Sequence, residues 1–444
     1  MKIHFIGIGG IGVSALARYY LAKGHRVSGS DLVSSEITEA LKKLGAKIFI
    51  GKHKAKNLSK NADFVIYSPA VQPTNHELRQ ANKLQATSYK LQVMSYPQAL
   101  GELTKKYFTI AVSGTHGKST TTAMIGLLLK KVGFDPTVIV GTKVKEFGNS
   151  NCRVGKSQYL VIEADEHFAS FLNYWPKIIV LTTLEPDHCD YYKNFKNYIL
   201  AFKKFVSRLP QNGILVVNKD DRKTYNTFST TAENVLWYSL KQKGARKLKK
   251  IMKIPGEFNV SNALAALTVA RILKVPDKIS FKALSEYRGS WRRFDIKKVK
   301  INNKKLIIIN DYGHHPTQIK VTLKAVREKF PKRKIWCIFQ PHQYQRTYYL
   351  WTDFVKVFKE APVNRLIITD IYDVAGREDP KIKKKVSSEK LVKAINKNAE
   401  YIPSIKKVAN YFKKNLKGRE VVIVMGAGDI YQLNSKVKMQ NAKL

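Results

Sequence analysis

Short apolar runs alternate with amphipathic stretches along most of the chain. Near the start, the run Ile3-His4-Phe5-Ile6 is followed by a glycine-rich turn, an amphipathic stretch at 13–22 and a strand-like run that ends at Asp31. Apolar runs at 47–50 and 63–67 continue the alternation. Strands that alternate with helices predict an α/β fold built on largely parallel sheets.

The same alternation recurs in the rest of the chain. Further strand-like runs lie at 107–112, 159–162, 178–184, 305–310, 334–339, 365–369 and 420–425. A length of 444 residues suits three domains, because domains usually hold about 100–200 residues. We therefore predict three α/β domains, at residues 1–98, 99–291 and 292–444.

The composition excludes several classes of protein. Hydrophobic residues make up 44% of the chain, which is enough for several cores and excludes pervasive disorder. The three cysteines, Cys152, Cys189 and Cys337, are too widely spaced for a disulfide framework or a CxxC metal knuckle. Because the sequence has no apolar run of about 18 residues and no signal-peptide cleavage pattern, we expect a cytoplasmic protein without a membrane segment.

The charge is strongly positive. Lysine and arginine number 79 against 33 acidic residues, a formal charge of +46. This excess favours anionic substrates and raises the hypothesis of a nucleic-acid-binding ATPase. However, most of the cations are lysines spread along the whole chain, and no helix-turn-helix, zinc-finger or RNP pattern occurs. We expect solvated lysines and no nucleic-acid partner.

The first glycine motif is Gly7-Ile8-Gly9-Gly10-Ile11-Gly12, between a strand and a helix. Together with Asp31 at the end of the second strand, it matches the dinucleotide-binding fingerprint. Glycines let backbone N–H groups approach a pyrophosphate at the start of the helix. The motif does not distinguish NAD from a UDP-sugar, and a turn that serves only tight packing is the alternative.

A phosphate loop follows the strand at 107–112. Its residues are Ser113-Gly114-Thr115-His116-Gly117-Lys118-Ser119-Thr120, and an apolar helix comes next. Val112 stands where the strict Walker pattern has its first glycine. Even so, the order of strand, Gly-x-x-Gly-Lys-Ser and helix predicts ATP binding, with Lys118 on the phosphates and Ser119 available to Mg²⁺.

Two later strands of this segment end in acidic residues. Glu163 closes one of them, and Glu185, Asp187 and His188 follow the other. Because ligands bind outside the carboxyl ends of parallel strands, we expect these carboxylates to face the phosphate loop and to suit Mg²⁺. A surface or capping role is the alternative for Glu163, and an ordinary hydrogen-bonding histidine is the alternative for His188.

Polar loops also follow the strands of the third segment. They are Asp311-Tyr312-Gly313-His314-His315-Pro316-Thr317, Gln340-Pro341-His342-Gln343-Tyr344-Gln345-Arg346-Thr347 and Met425-Gly426-Ala427-Gly428-Asp429-Ile430. Histidines, an arginine and a tyrosine grouped in this way suit recognition of a carboxylate or a phosphate.

Taken in order and spacing, these motifs resemble the Mur ligase family over essentially the whole chain. The resemblance implies an N-terminal Rossmann-like UDP-binding domain, a central P-loop ATPase domain with a parallel sheet and a C-terminal Rossmann-like α/β domain. Within the family, the first glycine motif and the C-terminal loops favour the member that adds L-alanine to UDP-N-acetylmuramate for peptidoglycan synthesis. ATP would phosphorylate the lactyl carboxylate, and alanine would attack the acyl phosphate, releasing ADP and phosphate.

The resemblance also implies roles for individual residues. Lys118, Glu163, His188, His314 and Arg346 would be catalytic, with Ser119, Glu163 and His188 holding two Mg²⁺ ions. The remaining candidates are Gly114, Thr115, His116, Gly117, Thr120, Asn259 and Asn262 for ATP, Gly9, Gly10, Asp31 and Ser68 for the UDP-sugar, and Tyr312 with His314 and Arg346 for the amino acid. Helix N-capping is the alternative for Asn259 and Asn262. A monomer or homodimer is expected.

The chain departs from the family pattern at Phe258, where relatives carry histidine, and at Gln343, where they carry arginine. The loss of that arginine leaves open a sibling ligase that joins a peptide or another amino acid to the same UDP-sugar. An NAD-dependent oxidoreductase is disfavoured, because that chemistry has no use for the phosphate loop.

Overall fold

The structure is a computed structural model that describes residues 1–87, 90–228, 234–301, 304–374, 378–396, 398–437 and 440–441. It contains three β-sheets, each bordered by helices, so the predicted three-domain α/β fold is confirmed. Among the described residues, no helix has both the length and the apolar character needed to cross a bilayer.

The first sheet has five parallel strands in the order β3-β2-β1-β4-β5. Its strands are β1 Lys2–Ile6, β2 Arg26–Asp31, β3 Lys47–Ile50, β4 Phe64–Tyr67 and β5 Gln92–Ser95. Its helices are α1 Ile11–Ala22, α2 Glu36–Lys43, α3 His76–Thr87 and α4 Tyr96–Lys105. The central strand β1 is buried from Ile3 onward, which explains its apolar run.

The second sheet has seven strands in the order β12-β11-β10-β6-β9-β7-β8, and only β8 runs antiparallel to its neighbour. Its strands are β6 Phe108–Ser113, β7 Thr137–Val144, β8 Ser150–Arg153, β9 Tyr159–Glu163, β10 Ile178–Leu181, β11 Ile214–Asn218 and β12 Val235–Tyr238. The helices in this part of the chain are α5 Lys118–Lys131, α6 Cys189–Tyr192, α7 Phe195–Val206, α8 Arg222–Phe228, α9 Lys243–Ile251, α10 Glu257–Ile272 and α11 Asp277–Ser285.

The third sheet has the order β17-β16-β15-β18-β14-β13-β19, with β13 antiparallel to both of its neighbours. Its strands are β13 Asp295–Ile301, β14 Lys304–Asp311, β15 Ile335–Phe339, β16 Arg365–Ile368, β17 Ala399–Tyr401, β18 Val421–Met425 and β19 Gln440–Asn441. Its helices are α12 Pro316–Lys329, α13 Tyr344–Tyr349, α14 Trp351–Lys359, α15 Pro380–Lys383, α16 Ser388–Ile395, α17 Ile405–Asn415 and α18 Leu433–Lys436. Apolar clusters cover both of its faces.

The chain forms two compact units. The first comprises Met1–Asp187, Asn194–Leu248 and Ser261–Tyr287 and holds the first two sheets, while the second comprises His188–Lys193, Lys249–Val260 and Arg288–Leu444 and holds the third. The first two sheets share a unit because α1 packs against β7 and β8. There the Asn151 amide donates to the Ile11 carbonyl at 2.5 Å and to the Ser14 hydroxyl at 2.9 Å.

A buried carboxylate, that of Glu77 on α3, anchors the first sheet. It accepts hydrogen bonds from His4 and His53, each at 2.9 Å, and from the Ser30 hydroxyl at 2.5 Å. Ser30 in turn accepts, through its carbonyl, the N–H groups of Gly7 and Ile8. Burial alone would raise the pKa of Glu77, but the hydrogen bonds from the histidines and Ser30 lower it to about 2. Glu77 therefore supports the strand ends that shape the first glycine turn.

We expect Glu77→Gln to destabilise the protein at neutral pH by about 3 kcal/mol, the linkage value of such a pKa depression. A carboxylate with a lowered pKa contributes stability above its unfolded pKa and loses that contribution as the pH falls. The difference in the free energy of unfolding between wild type and Glu77→Gln should therefore narrow from pH 4.5 towards pH 2. Urea unfolding at a series of pH values measures this difference.

The control is Glu39→Gln, since Glu39 is exposed and pairs with the neighbouring surface groups Lys42 and Ser34. Its unfolding midpoint should match that of wild type. If Glu77→Gln lowered the free energy of unfolding equally at pH 7 and at pH 2, or did not lower it at pH 7, the anchoring role would be contradicted.

Candidate active site

The first glycine turn lies at the carboxyl end of β1, between β2 and β4. The Gly9 N–H donates to the Asp31 carboxylate at 2.8 Å, and Gly10 precedes the first residue of α1. Gly7 has φ of 78°, and a Cβ added there would lie 3.0 Å from the Cβ of Ser68. The structure thus brings together the four candidates for the UDP-sugar: Gly9, Gly10, Asp31 and Ser68.

The phosphate loop joins β6 to α5 and depends on two glycines. Gly114 has φ of 127°, and a Cβ added there would overlap the Thr182 hydroxyl. Gly117 has φ of 87°, and an added Cβ would lie 2.5 Å from the Asn262 side-chain oxygen. These positions need glycine both for their backbone conformation and for space. They also show that Asn262 lies against the loop.

The other loop residues bond to the segment that follows β10. His116 Nε2 lies 3.1 Å from Glu185 Oε2, which accepts its hydrogen bond, and the His116 backbone N–H donates to the Thr183 hydroxyl. The Thr115 hydroxyl donates to the Glu185 carbonyl at 3.1 Å. Thr120 is buried in the first turn of α5. These contacts fix the loop against the segment after β10. The loop lies at the start of a helix, a position that suits phosphate binding.

Lys118 forms an ion pair with a buried carboxylate beside the loop. Its ammonium donates to both oxygens of Glu166, at 2.7 and 3.0 Å, and to the Gly114 carbonyl at 2.8 Å. Burial alone would lower the pKa of Lys118, but the carboxylates of Glu166 and Asp165 raise it above its ordinary value. Burial raises the pKa of Glu166 to about 7, although Lys118 acts in the opposite direction. Lys118 is therefore a fixed positive charge.

Ser119 and Glu163 form a pair of oxygen donors beside the loop. The Ser119 hydroxyl donates to Glu163 Oε1 at 2.9 Å, and Glu163 Oε2 accepts the Gly141 N–H at 2.7 Å. Glu163 ends β9, next to β6 in the sheet, so it faces the loop as its place in the sequence predicts. A hydroxyl and a carboxylate at this distance are hard oxygen ligands of the kind that Mg²⁺ prefers, so the residues fit the ion.

The remaining candidates from this part of the sequence lie in the second compact unit. His188 has φ of 52° and directly precedes α6. The Asn259 side-chain amide donates to the Pro255 carbonyl at 2.6 Å. Because α10 begins at Glu257, Asn259 and Asn262 lie inside the helix, and the alternative that they cap it is wrong.

The C-terminal loops bring four aromatic and basic side chains together. The rings of Tyr312 and His314 are 5.4 Å apart, and those of His314 and His342 are 6.0 Å apart. The Arg346 guanidinium lies 3.1 Å from His342 Nδ1 and donates to the His342 carbonyl at 3.2 Å. Tyr312, His314 and Arg346, the candidates for the amino-acid site, therefore belong to one cluster.

Two charged residues beside this cluster have no individual role in the sequence-based prediction, although Asp311 opens one of the predicted polar loops. Arg292 is buried, donates to the carbonyls of Gly426 and Gly428, and lies over the ring of Tyr312. Asp311 accepts the N–H groups of Gly313 and Phe294. The sequence signal for Arg292 is weak, because the run Trp291-Arg292-Arg293 before a strand looks like ordinary basic surface.

Gln343, a departure from the family pattern, directly precedes α13 and has an unusual backbone conformation. It has φ of 73° and ψ of 132°, and its side chain is buried. Its N–H donates to the Tyr372 carbonyl at 3.0 Å. A non-glycine residue in this region is strained, and such strain concentrates at functional sites.

Family models match the chain in three consecutive parts. A model described as Mur ligase family, catalytic domain, matches residues 2–108, one described as Mur ligase middle domain matches 112–270, and one described as Mur ligase, glutamate ligase domain, matches 292–428. A curated UDP-N-acetylmuramate–L-alanine ligase from Acetivibrio thermocellus is 38% identical, and the alignment covers 97% of this chain and 94% of that protein.

Solved structures agree. The crystal structure of the UDP-N-acetylmuramate–alanine ligase of Thermotoga maritima is 28% identical and superposes with a TM-score of 0.81, covering 99% of this chain and 98% of the other. A murein peptide ligase from Psychrobacter arcticus, at 22% identity and a TM-score of 0.73 over 98% of both chains, shares the fold. With three family models matched in order and a relative aligned along almost its full length, this chain belongs to the Mur ligase family.

Proposed function

We propose that this chain joins L-alanine to the lactyl carboxylate of UDP-N-acetylmuramate, using ATP and releasing ADP and phosphate. The observation that carries the proposal is the full-length alignment with a relative of that name at 38% identity. The geometry of the phosphate loop and of the C-terminal cluster supports it. Because the reaction consumes ATP and makes a peptidoglycan precursor, we assign it to the cytoplasm.

The phosphate loop would bind the ATP phosphates. The backbone N–H groups at the start of α5 would donate to a phosphate, and Lys118 adds a full positive charge. Phosphoryl transfer onto a carboxylate brings two anions together, so positioning and charge neutralisation supply most of the catalysis. Asn262 lies against Gly117 and would contribute to nucleotide binding, with Asn259 a further candidate.

Ser119 and Glu163 would hold a first Mg²⁺, and His188 is our candidate ligand for a second. When bound, Mg²⁺ neutralises the phosphate charge that develops during transfer. Gly141 donates to the second oxygen of Glu163 and so fixes the orientation of this carboxylate. Hydrogen bonds to the groups that bind a metal commonly orient those groups.

In the second half-reaction, the alanine amine would attack the acyl phosphate, and the tetrahedral intermediate would collapse to an amide and phosphate. Arg346 would bind a carboxylate through its planar guanidinium, with Tyr312 and His314 lining the same site. The glycine turn with Gly9, Gly10, Asp31 and Ser68 would bind the UDP-sugar. A sibling ligase that adds a peptide remains the alternative, and the assay below separates the two.

We expect phosphate release from ATP to require Mg²⁺, UDP-N-acetylmuramate and L-alanine together. Lys118→Ala and Glu163→Ala should each lower kcat at least about 100-fold, the usual cost of losing one preorganised transition-state partner. A coupled phosphate assay measures the rates. The matched control is Lys130→Ala at the other end of α5, where the ammonium donates to the Glu146 carbonyl, and it should retain the wild-type rate.

Turnover with a tripeptide but not with alanine would identify the sibling activity. Hydrolysis that responds to nucleic acid and ignores UDP-N-acetylmuramate would contradict the proposal.

We expect Arg346→Lys to lower kcat/KM for alanine at least about tenfold, because lysine cannot reproduce the planar pair of donors. The KM for ATP should stay within a factor of about two, since the phosphate loop is unchanged. Steady-state kinetics with each substrate varied in turn measures both values. Arg365→Lys, on an arginine paired with Glu400, is the control. Equal losses of kcat/KM for alanine and for ATP would argue against a specific role of Arg346 in the amino-acid site.

A further inference from the structure

Glu166 is a buried carboxylate to which no role was assigned from the sequence. Its side chain is fully buried, three residues beyond the end of β9, and both of its oxygens accept hydrogen bonds from Lys118. The Lys118 side chain is only 13% exposed. The lysine expected to meet the ATP phosphates therefore has the Glu166 carboxylate as its hydrogen-bond partner, and Asp165 Oδ1 lies 3.7 Å from the same ammonium.

The position of Glu166 is fixed by a polar network. The Tyr198 hydroxyl donates to Glu166 Oε1 at 3.2 Å and lies 2.9 Å from the Thr115 hydroxyl. Thr115 belongs to the phosphate loop. Its hydroxyl donates to the Glu185 carbonyl and accepts the Glu185 backbone N–H. Glu166 is thus tied to the same loop whose lysine it binds.

The arrangement has two energetic consequences. A buried ammonium without a counter-charge is costly, so Glu166 stabilises the loop while phosphates are absent. When a nucleotide arrives, its phosphates compete with both oxygens of Glu166 for the Lys118 ammonium. The same residue therefore stabilises the empty loop and weakens nucleotide binding.

We propose that Glu166 is a positioning residue that holds Lys118 in the nucleotide-free protein and yields it to the nucleotide phosphates, so that Glu166 lowers the affinity for ATP and ADP. This inference rests on the proposed function only in that Lys118 binds phosphates. It does not depend on alanine or on the UDP-sugar. Weakened ADP binding would serve turnover, because the product leaves the loop more easily.

The test is calorimetric titration of ADP into the full chain. We expect Glu166→Gln to bind ADP about tenfold more tightly than wild type, the ratio that corresponds to one hydrogen bond to a charged group. A damaged loop would bind ADP more weakly, so tighter binding is not a result that a merely structural role produces. The charge-matched control is Glu102→Gln, on an exposed glutamate paired with Lys105, and its affinity should equal that of wild type.

A second measurement does not use nucleotide at all. Lys118→Met leaves Glu166 buried without its partner and should lower Tm, and adding Glu166→Gln to that variant should raise Tm again. Unchanged or weaker ADP binding by Glu166→Gln, or a double variant less stable than Lys118→Met, would overturn the inference. Failure of the wild-type protein to bind ADP would instead overturn the proposed function.

Discussion

The chemistry of this chain depends on where parallel strands end. In a parallel sheet the carboxyl ends of neighbouring strands lie at one edge, so the loops that follow them meet there. In the first sheet this brings Asp31 and Ser68 to the glycine turn that follows β1. In the second sheet it brings Glu163 to Ser119. The candidate groups are far apart in sequence, and strand order is what makes each site compact.

Buried charge is the second constraint, and hydrogen bonds or an opposite charge compensate it in each of the following cases. Glu77 is buried and takes hydrogen bonds from two histidines, and Lys118 is buried against Glu166. Arg292 is buried, donates to two backbone carbonyls and lies over an aromatic ring. Each charge lies next to a glycine turn or loop, so charge compensation and loop shape depend on each other. A chain with a large excess of lysine has few carboxylates, and several of them serve these sites.

Much of this organisation could be predicted from the sequence, because glycine loops after apolar strands are local signals. The strands, the phosphate loop and the strand-end position of Glu163 are of this kind. The hydrogen-bond partner of Lys118 could not be predicted, since Glu163, Asp165 and Glu166 are close together in the sequence. The bend after β9 brings Glu166 within 2.7 Å of the lysine and leaves Asp165 at 3.7 Å. Glu77 gave no signal either, because it lies in a polar helix whose burial depends on the sheet beneath it.

In the proposed reaction, the substrate carboxylate is phosphorylated before the amide forms. The most direct measurement uses UDP-N-acetylmuramate labelled with ¹⁸O in the lactyl carboxylate, with ATP, Mg²⁺ and L-alanine. An acyl phosphate transfers one carboxylate oxygen to phosphate when the amine displaces it. Mass spectrometry should therefore find one labelled oxygen in the released phosphate, together with a UDP-sugar heavier by one alanine residue. Unlabelled phosphate released at the same rate as the product would contradict phosphorylation of the carboxylate before amide formation.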